Sequence, residues 1–378
     1  MADPAPRVRF APTEEQELIR TTARQFLEDR VGLDRVRELM MSEDGFDPVL
    51  WKEMAELGWT GLTIGEEHGG AGLGPVEMGV LLEEMGRLVT PGPFFASAVL
   101  ATTTISQLGS PEQQGRLLPA LAGGETIGTL AVFEQPRQWS PPSPATTARR
   151  RDGGWVLEGT KRAVLAGGNA DLILVTAATD DGVGVFCVDA GADGVVVEPE
   201  PVLDPTRRQA TVSLQSVTVD EGARLGEGDA TGGLGRVLAR TVVALAAEQV
   251  GGAQRCMEMS VEYAKTRHQF GRPIGSYQAI KHRCANMLVK VEHARSVARY
   301  AVRVIDDEEE SRVAAPLAAA VASDAYVWVA GENIQVHGGI GFTWEHDAHL
   351  YLKRAKASSL LFGTSRHHRE LMGQAIGI

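Results

Sequence analysis

The stretch "RHQFGRPIGSYQAIKH", residues 267 to 282, is where the fold is best worked out. Arg267 and Arg272 flank a Phe270-Gly271 turn, with Pro273 just beyond it. Helical periodicity runs up to this turn and away from it, so the stretch reads as a helix–turn–helix connection with charged ends. Upstream, 237-VLARTVVALAAEQVGGAQRCMEMSVEYAKTR-267 is long, rich in alanine and apolar on more than one side. Such a helix belongs at the centre of a bundle or in an oligomer interface. Downstream, further helices are expected over about 275–305 and 311–336. Residues 231–378 therefore read as one helical unit.

Further towards the N-terminus the periodicity changes. Between 126 and 230, stretches such as 154-GWVLEG-159, 171-DLILVTA-177, 183-VGVFCVD-189 and 211-TVSLQSVTV-219 are short, rich in valine and punctuated by Gly, Asp and Pro. They predict a domain of short β-strands, interrupted by a mobile Pro- and Ser-rich loop at 135-QPRQWSPPSPATT-147. Residues 1–125 are helical again. Thr13-Glu14-Glu15-Gln16 is a T-x-x-Q capping box that leads into Leu18, Ile19, Ala23, Phe26 and Leu27 at helical spacing. A second helix is expected over 49–59, then a Gly-rich loop at 65–74, then a third helix opening at Pro75. The order helices, strands, helices is α+β. It lacks βαβ alternation and G-x-G-x-x-G, which argues against a dinucleotide-binding Rossmann domain.

Composition narrows the function. The 378 residues are 43% hydrophobic and 23% charged, ordinary for a soluble globular protein, and the formal net charge is −12. That charge argues against nucleic acid or an acidic membrane surface as a partner. Cys187, Cys256 and Cys284 have no metal-type spacing and read as reduced thiols. The start, MADPAPRVRF, has no apolar signal core, and no apolar run is expected to reach the ~20 residues of a membrane span. A cytoplasmic location is expected.

Two stretches concentrate unusual residues. In the first, 267–282, an arginine beside an aromatic ring and an amide suits a pyrophosphate and a flat ring. In the second, 335-QVHGGIGFTWEHDAHLYLKRA-355, Gly338, Gly339 and Gly341 let backbone N–H groups approach an anion or ring closely. The spacing of His337, His346 and His349 fits no common metal-ligand set.

Together, "RHQFGRPIGSYQAIKH" and "QVHGGIGFTWEHDAHLYLKRAK" resemble the two C-terminal signature segments of the acyl-CoA dehydrogenase family. "ELGWTGLTIGEEHGGAGLGPVEMGVLLEEMGR", residues 56 to 87, resembles its N-terminal segment. The resemblance implies an N-terminal helical domain (1–125), a central β-barrel (126–230) and a C-terminal four-helix bundle (231–378). It implies FAD, a tetramer in which neighbouring subunits share each flavin, an acyl-CoA substrate and an electron-transfer flavoprotein as electron acceptor. The implied reaction is α,β-dehydrogenation, in which a carboxylate removes the α proton and the β hydrogen leaves as hydride.

Carried over position by position, the resemblance places Arg267, Gln269 and Phe270 on the FAD of a neighbouring subunit, together with Gln335, Gly338 and Gly339. Thr364 falls in the family's E-G-T loop beside the flavin. The remaining positions depart from the family. Its T-E-P-x-x-G-S-D loop reads 133-FEQPRQWSP-141, and its W-I-T-N-G strand reads 163-AVLAG-167, where Ala163 and Leu165 lack the ring and the hydroxyl. Phe362 stands where the catalytic glutamate belongs, and Thr241 at the base position that a minority of members use. Glu248, on the same helical face as Thr241, is a candidate relocated base or a structural ion-pair partner. This pattern resembles the non-catalytic subunit of heteromeric members found among actinobacterial sterol degraders. The alternatives are a self-sufficient homotetramer using Glu248, or a flavin-less acyl-CoA-binding scaffold.

Overall fold

The computed structural model describes residues 11–135 and 144–378. The proline-rich part of the loop expected at 135–147 lies largely outside them. Six helices come first: α1 (Glu14–Val31), α2 (Leu33–Met41), α3 (Pro48–Glu56), α4 (Pro75–Arg87), α5 (Thr102–Leu108) and α6 (Pro111–Ala122). A π-helical stretch, Phe95–Ala101, runs directly into α5. Seven strands follow: β1 (Gly128–Ala131), β2 (Thr147–Arg151), β3 (Gly154–Leu165), β4 (Leu172–Thr179), β5 (Gly182–Asp189), β6 (Val195–Pro199) and β7 (Gln209–Asp220). Then come α7 (Thr231–Thr266), a hairpin of β8 (His268–Gln269) and β9 (Arg272–Pro273), α8 (Gln278–Val304), α9 (Glu308–His337), α10 (Ala348–Ser358) and α11 (Ser365–Ala375).

Local chemistry sets several of these ends. Thr13 and Gln16 form the expected capping box on α1, with the Gln16 N–H donating to Thr13 Oγ1 at 3.2 Å and the Thr13 N–H to Gln16 Oε1 at 3.1 Å. Ser110 and Gln113 repeat it on α6, where Pro111 opens the helix. Asp307 caps α9 by accepting from the N–H groups of Glu309 and Glu310.

Among the described residues, packing forms two compact units: 11–36, 75–90 and 242–378 in one, and 37–74, 91–135 and 144–241 in the other. The first is helical, with α9 flanked by α8, α10 and α11. Here α4 and α7 meet backbone to backbone. A Cβ on Gly251 would stand 1.8 Å from the Glu83 carbonyl oxygen, and one on Gly86 would stand 2.0 Å from that of Glu248. Long and alanine-rich, α9 and the turn behind it match a membrane span by length and composition, yet 67% of the most apolar stretch is buried inside the protein.

In the second unit the strands form one mixed sheet in the order β1-β4-β2-β3-β7-β6, with β5 also paired to β4. The sheet is open, a half-barrel rather than a closed barrel. Trp155, Leu157, Ile173, Val175, Phe186, Val188, Val212 and Val217 fill its core, with Trp155 and Phe186 edge to face at 5.2 Å.

Candidate functional site

The turn at 267–282 is more than a helix connection. The β8–β9 hairpin closes through a two-residue loop in which both Phe270 (φ 52°) and Gly271 (φ 77°) are left-handed, as a type I′ turn requires. Asparagine is the usual residue at the first of these positions. A phenylalanine there costs about 1–2 kcal/mol of backbone strain, and its ring is 94% exposed. Tyr277 braces the hairpin, donating from its hydroxyl to the Gln269 carbonyl at 3.0 Å, while the Arg272 guanidinium lies 4.1 Å over its ring. The Arg267 and Gln269 side chains are exposed on the same hairpin. The hairpin thus holds an apolar ring in solvent at the expense of backbone strain.

The glycine pair sits at the end of α9. Gly338 has φ 67°, and the space where a Cβ would stand at Gly338 or Gly339 is open, so bare backbone faces outward beside exposed Gln335. His337 is clasped between Tyr263, 4.4 Å away, and His346, 4.3 Å away, with its Nδ1 bonded to the Asn333 carbonyl at 2.8 Å. Burial, with His346 adding to it, pushes the His337 pKa down against the pull of that carbonyl. Tyr263 lies one helical turn before Arg267, so this stack joins the hairpin to the glycine turn. The three histidines do not converge: His349 packs edge-on against Trp344, and no cluster suited to a metal ion occurs among the described residues.

The loop between α10 and α11 forms a second patch. Asp324, which pairs with Arg369 of α11, is eleven residues before Gln335, roughly 16 Å along α9 at 1.5 Å per residue. Phe362 is buried and left-handed (φ 57°), and Gly363 (φ 130°) is pressed against His367 and His368. Thr364 is the N-cap of α11, accepting from the His367 N–H at 3.3 Å. Burial and the neighbouring His367 push the pKa of His368 down to about 4, so it is neutral at pH 7. Thr241 is fully buried, and its hydroxyl donates to the Val237 carbonyl at 2.8 Å. Glu248 is buried as well, and the guanidinium of Arg354 donates to it at 2.6 Å. Arg354 is not legible as part of this site from sequence alone, because its partner is 106 residues away.

In the sheet unit the two departing segments meet. The Arg162 N–H donates to the Phe133 carbonyl at 2.8 Å, and Lys161, fully buried, donates to Glu134 at 2.6 Å and to Thr176 at 2.9 Å. Glu134 also accepts from the Ala145 and Thr146 N–H groups. Beyond Lys161, β3 bulges, with Ala163 left-handed at φ 53° and Leu165 buried.

Models of the acyl-CoA dehydrogenase N-terminal, middle and C-terminal domains match residues 13–125, 134–216 and 235–377. The chain belongs to the acyl-CoA dehydrogenase family. Its helical and half-barrel parts follow the fold that family membership implies, and the protein is an oxidoreductase of that family. Among its relatives, acyl-CoA dehydrogenase IpdE2 of Mycolicibacterium smegmatis is 37% identical over 94% of this chain and 96% of its own length. The ChsE4-ChsE5 complex of Mycobacterium tuberculosis contains a chain that is 28% identical, with a TM-score of 0.90, over 98% of this chain and 99% of that one. The Tcur3481-Tcur3483 steroid acyl-CoA dehydrogenase contains one that is 32% identical, with a TM-score of 0.88, over 96% and 98%. Both of these structures are named for two chains.

Proposed function

We propose that this chain is the subunit without a catalytic base in a two-chain, FAD-dependent acyl-CoA dehydrogenase. Phe362 carries the reading. It is buried and apolar, and it sits in the family's base-bearing loop, which is otherwise kept: Gly363 turns the chain and Thr364 caps the next helix. The other candidates are occupied. Thr241 donates to its own helix, and Glu248 is tied up with Arg354. A base must be ionised and free to reach a substrate carbon, and neither meets that requirement.

FAD supplies the hydride acceptor in this proposal, and this chain's residues fit it unevenly. The strained Phe270 ring, exposed Arg267 and Gln269, and the bare backbone at Gly338 and Gly339 suit a flat ring and a diphosphate offered by a neighbouring subunit, with Gln335 beside them. Thr364, whose hydroxyl oxygen accepts in the cap, keeps its O–H to donate to a flavin. Ala163 and Leu165 offer an in-house flavin neither stacking nor a side-chain hydrogen bond. Likeness to a steroid acyl-CoA dehydrogenase supports a ring-bearing acyl-CoA as substrate, oxidised with an electron-transfer flavoprotein as acceptor.

The test is to express the chain alone and together with a homologous chain that carries the loop glutamate. Alone it should be colourless and inactive towards acyl-CoA with a dye acceptor. Co-expressed, it should co-purify as a yellow complex that reduces the dye. A yellow, active chain on its own overturns the proposal.

A further inference from the structure

Arg354 does more than neutralise Glu248. Only 2% exposed, it donates from one guanidinium nitrogen to Glu248 on α7 at 2.6 Å, and from the other to the carbonyls of Val89 and Thr90, each at 3.2 Å. One turn earlier on α10, the Tyr351 hydroxyl donates to the Arg87 carbonyl at 2.6 Å. Three carbonyls at and just beyond the end of α4 are thus satisfied by side chains of α10. They hold a turn in which Val89, fully buried and β-branched, is left-handed at φ 45°. The α4–α7 contact beneath is backbone to backbone, so that surface is rigid.

The same helix carries the 361–364 loop. The α10 hydrogen-bond pattern continues through Ser359, Leu360 and Leu361, whose N–H groups donate to Ala355, Ala357 and Ser358. Phe362 and Gly363 then complete the link to the Thr364 cap. Only six residues, 359–364, separate α10 from α11, so a shift of α10 passes directly to the loop.

We infer that Arg354 is a positioning residue. Clamped by Glu248 and the α4 carbonyls, it fixes the register of α10 and thereby the conformation of the 362–364 loop that the proposed function sets beside FAD. This inference rests on that reading for the loop's role, but its test does not need FAD.

Amide hydrogen exchange on the purified chain supplies the readout. Arg354→Lys keeps the charge and loses the fork. It should cut protection at least tenfold at 88–90 and at 362–364 together, while the middle of α9 and the half-barrel strands keep theirs. The double variant Glu248→Leu/Arg354→Met removes both buried charges and keeps bulk, so it should recover the melting temperature while protection at 362–364 stays low. If the double variant restores loop protection, or if Arg354→Lys leaves 362–364 untouched, the pair is only structural and the inference falls. FAD retention in the co-expressed complex is the second measurement. Altered exchange with unchanged FAD retention would sink the flavin role of the loop and leave the clamp standing.

Discussion

At the scale of single residues, backbone conformation says more than side-chain identity. Phe362 keeps the left-handed backbone of its loop although phenylalanine gains nothing from it, and Phe270 does the same at the hairpin tip. Left-handed geometry costs an L-residue about 1–2 kcal/mol and costs glycine almost nothing. Truncating a buried ring to alanine costs about 3–5 kcal/mol. Glycine, though smaller still, escapes the strain. Phe362→Gly should therefore be about 1 kcal/mol less destabilised than Phe362→Ala in urea unfolding, the reverse of the order expected at an ordinary helix or strand position. If alanine is the milder change, φ at 362 is not held positive in solution.

Among the helices and strands, what the sequence made legible follows the range of the interactions. The α1 capping box and the starts of α4 and α9 are written within four residues of themselves, and those helices fall where the pattern puts them. The strands β1, β2 and β6 are not legible in the sequence because they are four or five residues long and are defined by distant partners. Gly128 of β1, for instance, pairs with Leu172. The hairpin at 268–273 reads in sequence as a bare turn because Phe-Gly is not the usual type I′ pair. The glycine turn after α9 is legible in the sequence, whereas the Arg354–Glu248 and Lys161–Glu134 pairs are not. The α4–α7 contact gives a sharp prediction. Gly251→Ala drives a methyl into the Glu83 carbonyl and should cost about 3 kcal/mol or more, since neither backbone has room to yield. Gly235→Ala, earlier on α7 with open space around it, should stabilise by about 0.5–1 kcal/mol through helix propensity. Thermal melts of the two variants moving in the same direction would refute this packing.

The Lys161–Glu134 pair ties strand β3 to residues 145–146 and gives the half-barrel a pH signature. Burial raises the Glu134 pKa, but the hydrogen bonds from Lys161 and Thr146 outweigh it and hold it at about 2. Because the folded value lies below the unfolded one, this contribution is complete above about pH 4.5 and is lost as pH falls towards 2. Burial lowers Lys161 to about 8 against the pull of Glu134. The unfolded chain then holds the proton more tightly, so this group adds stability as pH rises from about 8 towards 10.5. Urea midpoints measured across pH should show both slopes in the native protein. Glu134→Gln should flatten the acid limb. An acid limb as steep in Glu134→Gln as in the native chain would assign the loss to other carboxylates.

At the scale of the whole molecule, the proposed function divides the flavin contacts between this chain and a second one. The exposed ring, arginine and glycine backbone at the hairpin and at the end of α9 suit a neighbour's cofactor. The 361–364 loop keeps Thr364 but has Phe362 in place of a carboxylate, and the bulged end of β3 has neither a ring nor a hydroxyl at Ala163 and Leu165. An assembly with equal numbers of this chain and a base-bearing homologue then has complete flavin sites only around the homologue. Under the proposed function each complete site would borrow Arg267, Phe270 and Gly338–Gly339 from this chain. The stoichiometry follows: one FAD for every two chains, measured as released flavin absorbance against total protein. Binding to the assembled state alone also means that added FAD should raise the melting temperature of the complex and leave that of the isolated chain unmoved. One FAD per chain would place a working flavin bed beside Ala163 and Leu165. The losses at those positions would then be tolerated substitutions rather than a division of labour between subunits.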